Sequence, residues 1–395
     1  MGCHKIGLGI IRALGSVNIP VIGVSYGNMD MGVASKFLYE VYRLPNPDEA
    51  PEEFISQLEL LGNHGQKRVL IPSDDAALLC VAKHYDYLCD RFKIAACRWD
   101  IIKKCIEKKL TYEVAAEAGV PCPHTMVPKS VEEVHSFADQ FKFPCLLKPS
   151  IGHSFYARYK KKMLFIQNRN ALIKAYEQLS KAGIEIMLQE YIPGDDCNGV
   201  NYNSFFHQGK IVIAITAQKV RLSPPRIGFP RVIISKFIPE LQSPAIKLLK
   251  AFNFDGFSCM EFKKDSRDGI YKLMEINARL NFSSPLSVKA GVNFPYLVYK
   301  YALCGIVPDK ISEFKEGVYW IDPGKDLIEC IKNFKNERFP IKEYITPYLK
   351  PHIFTIHSMD DFRPVMKRCT DLSMEIPKRL LSKLVSKKRC RRSLA

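Results

Sequence analysis

Two glutamates in the second half of the chain stand inside apolar segments that predict β-strands. Glu261 lies within residues 256–263 and Glu275 within residues 270–276. Asn277 follows Glu275 at the strand spacing of two, so both side chains share one face. Two carboxylates and an amide oxygen on one face suit a hard cation such as Mg²⁺, which keeps several waters and takes phosphate oxygens. The alternative is that each glutamate pairs with a nearby lysine or arginine, because an unpaired carboxylate is costly to bury.

Two lysines upstream fit the phosphate that would accompany such a cation. Lys148 ends a short apolar strand at residues 143–150, and Lys108 belongs to the lysine-rich run 103–109. Beside a metal–phosphate site, each ammonium would act as a point charge for phosphate. Without such a site, Lys148 would reach the surface along its own aliphatic stem, and Lys108 would lie on a solvated helix face.

A strand that runs into a polar turn is the next candidate. It contains Gln189, Glu190, Tyr191 and Ile192, and Asp196 follows in the turn. A strand edge offers backbone N–H and C=O groups to an adenine ring, and an acid a few residues further on can accept hydrogen bonds from ribose hydroxyls. The segment predicts a nucleotide contact only in combination with the lysines and glutamates.

Arg221 is a candidate for holding an anionic group of a substrate. It lies, with Arg226, in a predicted loop that prolines and Gly228 delimit. A guanidinium in such a loop could clamp a carboxylate or phosphate with paired hydrogen bonds, and an ordinary surface arginine is the alternative. The sequence contains no convincing Ser–His–Asp or Cys–His arrangement for nucleophilic catalysis.

The order of these residues resembles the ATP-grasp superfamily. The most specific part is an acid followed, about fourteen residues later, by the pattern E-x-N-x-R. The matching positions in this chain are Lys108, Lys148, Gln189, Glu190, Tyr191, Ile192, Asp196, Glu261, Glu275, Asn277 and Arg279.

The resemblance implies a role for each of these positions. The two lysines would hold ATP phosphates, residues 189–192 would line the adenine, and Asp196 would contact the ribose. Glu261, Glu275 and Asn277 would bind Mg²⁺, with Glu275 bridging two ions, and Mn²⁺ is an alternative metal. Arg279 would face the acyl-phosphate oxygen or the substrate carboxylate.

Four further stretches resemble the carboxylate–amine ligase branch, which includes proteins similar to D-aspartate ligase. They are residues 8–15, 69–74, 219–228 and 315–320. This implies a ligase that uses ATP to activate a small-molecule carboxylate as an acyl phosphate and joins it to an amine. The lack of a membrane-length apolar run and of a secretory signal core predicts a cytoplasmic protein, and a homodimer stays open. The chain departs from the family in its phosphate loop, which is reduced to residues 151–154, and in its first N-terminal strand, which is missing or a stub.

The hydrophobic pattern and the resemblance together predict an α/β fold with three parts. Residues 1–104 would form a doubly wound parallel domain, since strands and helices alternate there. Residues 105–308 would form a two-lobed α+β ATP-grasp domain, with a small lobe at about 120–190 and a large lobe at about 191–308. Residues 309–395 would be a C-terminal extension with a basic tail. One helix is predicted over residues 105–118, and antiparallel strands over residues 203–234.

Composition and charge indicate which binding partners and which cysteine redox state the chain favours. The net charge is +17, but residues from Lys378 onward contain eight basic side chains and no acidic one. That tail is either a solvated terminus or a basic amphipathic helix for an anionic membrane or an acidic partner. No aromatic RNA-binding signature or zinc-finger spacing argues for nucleic acid. The thirteen cysteines show no CxxC pair, which favours reduced thiols.

Two other functions stay open at the level of sequence. One is a carbamoyl-phosphate-synthase-like ATP-grasp step on bicarbonate or carbamate. The other is a nucleotide-binding homologue without catalysis, which the short phosphate loop and the reduced first strand would favour and the complete Glu261, Glu275 and Asn277 set would oppose.

Overall fold

The computed structural model of the protein describes most of the chain, namely residues 1–27, 30–63, 67–139, 143–149, 163–307, 313–333 and 341–374. The short phosphate loop at residues 151–154 and the basic tail from residue 378 onward lie outside these ranges. Within them, no helix has the length and apolar character needed to cross a membrane.

The first hundred residues alternate strands and helices and form two parallel ribbons. Strand β1 (Val21–Ser25) pairs with β2 (Leu38–Arg43), and β3 (Arg68–Leu70) pairs with β4 (Phe92–Ile94). The helices of this region are α1 (Lys5–Gly15), α2 (Pro51–Leu60), α3 (Asp75–Lys83) and α4 (Tyr85–Leu88).

Met1 and Gly2 connect the two ribbons where a further strand would lie. The amino group of Met1 donates to the carbonyl of Ile71 at 2.9 Å, and the N–H of Gly2 donates to the carbonyl of Val24 at 2.8 Å. Met1 and Gly2 therefore join the two ribbons through backbone hydrogen bonds, and the described residues of this region do not form one continuous sheet.

The single helix predicted over residues 105–118 is wrong. The structure has two helices, α5 (Trp99–Ile106) and α6 (Lys108–Glu117). The hydroxyl of Thr111 donates to the carbonyl of Lys104 at 2.7 Å, so a side chain satisfies a carbonyl in the last turn of α5 and the chain restarts at Lys108. Hydrophobic periodicity continues across this break, which explains why the sequence alone does not show it.

A four-stranded antiparallel sheet follows, with strand order β5-β8-β6-β7. Its elements are β5 (Thr125–Met126), α7 (Val131–Ala138), β6 (Cys145–Pro149), β7 (Leu164–Ile166), α8 (Arg169–Ser180) and β8 (Ile186–Glu190). The two helices and the sheet enclose one apolar core. The Ser130 hydroxyl caps α7 by accepting the N–H of Glu133 at 3.3 Å.

The largest sheet has seven strands in the order β13-β12-β9-β10-β11-β14-β15. The strands are β9 (Gly199–His207), β10 (Lys210–Ser223), β11 (Phe229–Ser235), β12 (Gly256–Lys264), β13 (Tyr271–Asn277), β14 (Tyr319–Ile321) and β15 (His352–Phe354). The helices are α9 (Gln242–Ala251), α10 (Ser284–Lys289), α11 (Phe294–Cys304), α12 (Pro323–Asn333) and α13 (Ile341–Leu349). The antiparallel strands predicted over residues 203–234 are confirmed.

The C-terminal part of the chain joins this sheet and returns to the N-terminal region. Strands β14 and β15 extend the sheet past residue 308. Beyond β15, the buried carboxylate of Asp361 accepts hydrogen bonds from Arg12 Nε at 3.0 Å and from the Ser35 hydroxyl at 2.7 Å. The residues after 308 therefore hold α1 as well as the sheet edge.

Candidate active site

The strand register places Glu261 and Glu275 directly opposite each other on β12 and β13. Cys259 is opposite Asn277 in the same pairing. Side chains two residues apart on a strand share a face, so Glu275 and Asn277 lie on the face that Glu261 occupies. Directly opposed residues have Cβ atoms about 5 Å apart. The side-by-side arrangement inferred from the sequence is therefore confirmed for these three residues.

Asn201 is a neighbour that the sequence reasoning missed. It lies on β9 directly opposite Glu261, and its buried side-chain oxygen has no hydrogen-bond partner among the described residues. A buried amide oxygen without a partner is unfavourable, so it indicates room for a ligand or water. The available signal was polar residues alternating with apolar ones in β9, where Asn201 and Asn203 flank Tyr202.

The two glutamates have different electrostatic surroundings. Lys219 Nζ lies 2.6 Å from Glu261 Oε2, so the ion-pair alternative holds for Glu261 in the free protein. The lysine reaches Glu261 over Gly199, where a Cβ would lie 2.8 Å from Lys219 Cδ. Burial is the largest single influence and acts to lower the pKa of Lys219, but the charge of Glu261, its hydrogen bond and smaller contributions together raise that pKa.

Glu275 has a raised pKa. The main cause is loss of hydration, the second is the negative charge of Glu261, and Lys108 acts in the opposite direction. The side chain is nevertheless accessible to solvent, which indicates a position in an open cleft and not in the core. A cation placed between the two carboxylates would relieve this repulsion.

The donors at this point fit Mg²⁺. They are two carboxylates, the Asn277 amide and the unpartnered Asn201 oxygen, all hard oxygen ligands. Among the described residues, no three His, Cys, Asp or Glu side chains form a metal cluster. A protein cage of that kind is not required, because Mg²⁺ usually binds one or two carboxylates together with waters and substrate phosphates.

Both predicted phosphate lysines lie close enough to Glu275 to interact with its charge. Lys148 is buried, and its Nζ donates to Gln189 Oε1 at 2.5 Å. Burial and, to a smaller extent, the nearby charge of Lys108 lower the pKa of Lys148 to about 7, and Glu275 opposes the shift. Lys108 is the first residue of α6. The structure therefore brings Lys148, Lys108 and Glu275 together from three separate elements.

The predicted adenine segment lies where the four-stranded and seven-stranded sheets meet. Gln189 is fully buried, and its amide also donates to the Thr125 hydroxyl at 3.2 Å. The Glu190 carboxylate is held by the Arg267 guanidinium, and the Tyr191 ring lies under Lys263 Nζ at 5.2 Å from the centroid. Ile192 is buried. The side chains of this segment are thus used for packing, which leaves backbone groups as the means of contacting a base.

Asp196 supports a neighbouring loop in the free protein. One of its carboxylate oxygens accepts the N–H of Leu222 at 2.7 Å and the other accepts the N–H of Arg226 at 2.6 Å. A carboxylate has about four lone-pair sites, so these two bonds leave acceptor capacity for ribose hydroxyls.

The expectation that Arg221 lies in an open loop is wrong. Arg221 belongs to strand β10, is 1% exposed, and donates to both carboxylate oxygens of Asp326 at 2.9 and 2.7 Å. Its guanidinium also stacks on the Tyr344 ring, 4.5 Å from the centroid. Because the guanidinium is buried and paired, it has no face free for a substrate. Its partner Asp326 lies on α12, about a hundred residues later in the chain, so no local pattern indicates the pair.

Arg279 is positioned by an acid from the N-terminal region. Its Nε donates to Asp75 Oδ1 at 2.6 Å and its second terminal nitrogen donates to Asp75 Oδ2 at 2.9 Å. Burial is the largest single influence and acts to lower the pKa of Arg279, but the hydrogen bonds and charge of Asp75 together with the charge of Glu275 and a smaller contribution from Cys259 raise that pKa. Nothing in the sequence relates Asp75 to Arg279, because the two residues are about two hundred positions apart.

The chain is similar to several characterised proteins. A family model described as "ATP-grasp in the biosynthetic pathway with Ter operon" matches residues 184–320. D-aspartate ligase of Enterococcus faecium (strain Aus0004) is 26% identical over 270 residues, which cover 65% of this chain and 64% of that protein. The chain therefore spans a little under two thirds of this relative.

Two solved structures have a similar fold. One is the biotin carboxylase domain dimer of Hydrogenobacter thermophilus 2-oxoglutarate carboxylase with MgADP and bicarbonate, at 20% identity and a TM-score of 0.61, covering 80% of this chain and 71% of that one. The other is the L-amino acid ligase from Bacillus licheniformis, at 17% identity and a TM-score of 0.60, covering 76% and 72%. At these identities the likeness concerns the mixed α/β fold.

Proposed function

Because the chain contains an ATP-grasp domain, we propose that it is an ATP-dependent ligase that joins a carboxylate to an amine. The observation that supports this most is the direct opposition of Glu261 and Glu275 on adjacent strands. The raised pKa of Glu275 adds to it, since a carboxylate with an unfavourable charge beside it is poised to receive a cation.

The proposed division of labour follows from what each side chain contacts. Glu261, Glu275 and Asn277 would hold Mg²⁺, which neutralises phosphate charge when bound. The proposal includes two ions that would share Glu275 as a ligand. It also includes Mn²⁺ as an alternative to Mg²⁺. Lys148 and Lys108 would bind ATP phosphates, residues 189–192 would line the adenine, and Asp196 would bind the ribose.

The reaction would proceed in two steps. A substrate carboxylate oxygen attacks the γ-phosphorus of ATP, and ADP leaves, which produces an acyl phosphate. The amine then attacks the acyl carbon and phosphate leaves. The first step needs positioning and charge neutralisation and no protein nucleophile. Arg279, held by Asp75, would orient the reacting carboxylate or the acyl-phosphate oxygen.

The experiment is a matrix of carboxylates and amines assayed for ADP and phosphate release, with wild-type protein and Glu275→Gln. We expect at least about a 100-fold loss of rate in the variant, because the amide neither balances the metal charge nor bridges ions. Glu177→Gln is the matched control, since Glu177 is exposed on α8. Near-wild-type turnover in Glu275→Gln would show that the metal assignment is wrong.

Two outcomes of the same matrix would indicate other functions. Bicarbonate-dependent ADP formation without an amine would indicate a carbamoyl-phosphate-type step. ATP binding without turnover by any acid and amine pair would indicate a nucleotide-binding protein without catalysis.

The proposal also covers the domain organisation, the cellular location and the oligomeric state of the ligase. The N-terminal residues 1–104 would act as a doubly wound domain, residues 105–308 as the ATP-grasp domain and residues 309–395 as an extension of it. Residues 120–190 would be its small lobe. Reduced thiols, seen as free cysteines in the described ranges, support a cytoplasmic location. A homodimer would appear in light scattering at about twice the monomer mass.

A further inference from the structure

Helices α12 and α13 lie on the part of the seven-stranded sheet that is away from the candidate metal residues. Helix α12 contacts β10 and β11, and α13 contacts β14 and β15. The strands that carry Glu261 and Glu275, β12 and β13, are at the opposite edge of the sheet from β15. The two helices therefore present a surface that the proposed reaction does not use.

A buried polar cluster fixes the inner faces of both helices. Asp326 of α12 is fully buried, pairs with Arg221 of the sheet, and accepts a hydrogen bond from the Tyr348 hydroxyl of α13 at 2.7 Å. The Tyr344 ring, also on α13, stacks on the same arginine. Each helix is thus held to the sheet and to the other helix, so the orientation of its outer face is determined.

The outer faces are apolar. Six aliphatic side chains on the two helices are between 44% and 79% exposed, namely Leu327, Ile328, Ile331, Ile341, Ile345 and Leu349. The last three are spaced by four residues and form one stripe along α13. Helices that pack side by side have axes about 8–10 Å apart, so the six side chains, which we call the aliphatic surface, are close enough to contact one partner. Exposed apolar groups of this extent mark a site for another protein or a membrane.

The charges around the aliphatic surface are mainly positive. The exposed charged residues of the two helices and of the position directly after α13 are four lysines and one acid, namely Lys325, Lys332, Lys342, Lys350 and Glu343. Glu329 is half-buried and accepts a hydrogen bond from the Ser223 hydroxyl at 2.8 Å. An anionic partner is therefore attracted. A second copy of this surface, or the basic tail of the chain, would bring like charges together.

The residue types favour lipid over protein as that partner. In this described part of the chain the exposed apolar side chains are leucine and isoleucine, and the exposed basic ones are lysine. Protein interfaces are enriched in aromatic residues and arginine and depleted in lysine. Lysine stems extend along apolar surface while the ammonium groups stay in water, an arrangement typical of helices that lie in a bilayer interface.

We propose that α12 and α13 form a peripheral binding surface for a membrane that contains anionic phospholipids. The aliphatic surface would enter the boundary between headgroups and acyl chains, and the four lysines would lie at the lipid phosphates. This surface is independent of the proposed ligase chemistry, which the assay of ADP and phosphate release tests without vesicles.

The test is flotation of the full-length protein with vesicles of phosphatidylcholine, with or without about 30 mol% phosphatidylglycerol. We expect at least about 10-fold tighter binding to the anionic vesicles, and weaker binding as salt is added, because salt screens the lysines. Amide hydrogen exchange of the wild-type protein should slow in residues 323–333 and 341–349 when anionic vesicles are present. This second measurement needs no variant and stands even if a substituted protein fails to fold.

The apolar contribution is tested by Ile331→Ser combined with Ile341→Ser. We expect at least about a 10-fold loss of affinity for the anionic vesicles, because interfacial binding scales with the apolar area that is buried. Leu60→Ser is the matched control, since Leu60 is 65% exposed on α2, and it should bind as the wild-type protein does.

The charge contribution is tested by Lys332→Gln combined with Lys342→Gln. Two lysines near an anionic surface should account for about 10- to 30-fold in affinity. Lys247→Gln with Lys250→Gln, at exposed positions of α9, should leave binding unchanged.

Several results would overturn the inference. One is equal binding, or no binding, to the two kinds of vesicle. Another is loss of binding on neutralising Lys387, Lys388 and Arg389 while the substitutions in α12 and α13 have no effect, which would assign the contact to the tail. A dimer in light scattering that Ile331→Ser with Ile341→Ser dissociates would assign the aliphatic surface to a second copy of the chain.

Discussion

Residues of one type behave differently in this site because of what lies beside them. Glu261 and Glu275 are cross-strand partners, yet Lys219 pairs with the first while the second has a raised pKa. Lys148 is the opposite case, a buried ammonium that donates to the neutral Gln189 amide. Both Glu275 and Lys148 are charged groups that a bound metal–phosphate would stabilise.

The first prediction concerns the proton on Lys148. Its pKa of about 7 in the free protein means that the ammonium is mostly deprotonated at pH 8. Phosphate charge favours the ammonium form and raises the pKa, so Mg·ATP binding at pH 8 should take up about one proton. At pH 6 the lysine is already protonated, and the uptake should fall towards zero. Calorimetry in buffers of different ionisation enthalpy measures this number.

Lys148→Met should abolish the uptake at pH 8, while Lys181→Met, at an exposed position on the end of α8, should leave it unchanged. An uptake that persists in Lys148→Met would assign the proton to another group.

At the scale of elements, the start of α3 connects the N-terminal region to the site. Asp74 caps the helix by accepting the N–H of Ala77 at 2.9 Å, and Asp75, the first helical residue, holds Arg279. The cap fixes the first turn of the helix and therefore the direction in which the Asp75 side chain points. The position of Arg279 therefore depends on a helix that is distant in sequence.

The second prediction is that Asp75→Asn lowers kcat by about 10- to 100-fold, because an amide cannot accept both N–H groups of the guanidinium and Arg279 turns away from its position. The dissociation constant for ATP should change by less than about threefold. Steady-state kinetics and nucleotide titration measure the two effects. Glu117→Gln, at an exposed position of α6, is the control, and an unchanged kcat in Asp75→Asn would exclude a positioning role.

The third prediction separates structure from catalysis at Arg221. Arg221→Met leaves Asp326 buried without its main partner, so the free energy of unfolding should fall by about 3–5 kcal/mol. The KM values of the molecules that remain folded should stay close to wild type. Urea denaturation and kinetics at low temperature check both points. Arg226→Met, at an exposed neighbour, should change neither, and a specific rise in KM for Arg221→Met would return this residue to the substrate site.

At the scale of the whole molecule, helix α1 near the N-terminus contacts residues 322–361 of the C-terminal part of the chain. Arg12 donates to Asp361 at 3.0 Å, and Lys5 donates to Asp322 at 2.5 Å. Leu8 and Ile356 belong to one apolar cluster. The N-terminal region therefore depends on residues that follow the seven-stranded sheet.

The fourth prediction is that Asp361→Ala destabilises the protein by about 3–5 kcal/mol, because it leaves Arg12 without its carboxylate and the Ser35 hydroxyl without an acceptor. Chemical denaturation measures the change. Asp360→Ala is a closely matched control, since Asp360 is adjacent and exposed. Loss of stability of equal size in both variants would mean that the contacts with α1 contribute little.

The sequence by itself determined the local part of the site. Two apolar segments identified β12 and β13, and the E-x-N spacing placed Glu275 and Asn277 on one face, because a strand repeats every two residues whatever surrounds it. The order of the lysines, the strand at residues 189–192 and the glutamates carried the resemblance to the ATP-grasp superfamily. The break between α5 and α6 at Glu107 is not visible in the sequence, and a side-chain hydrogen bond from Thr111 accompanies it.

Only the tertiary structure determines which residues from distant parts of the chain contact the site. Asn201 meets Glu261, Lys219 neutralises it, and Asp75 holds Arg279 from about two hundred residues away. The tertiary structure also places Arg221 in a buried pair with Asp326, and it forms a cavity that Asp255 lines. These contacts depend on strand order and on how the N-terminal region packs against the sheet, and no local periodicity records either one.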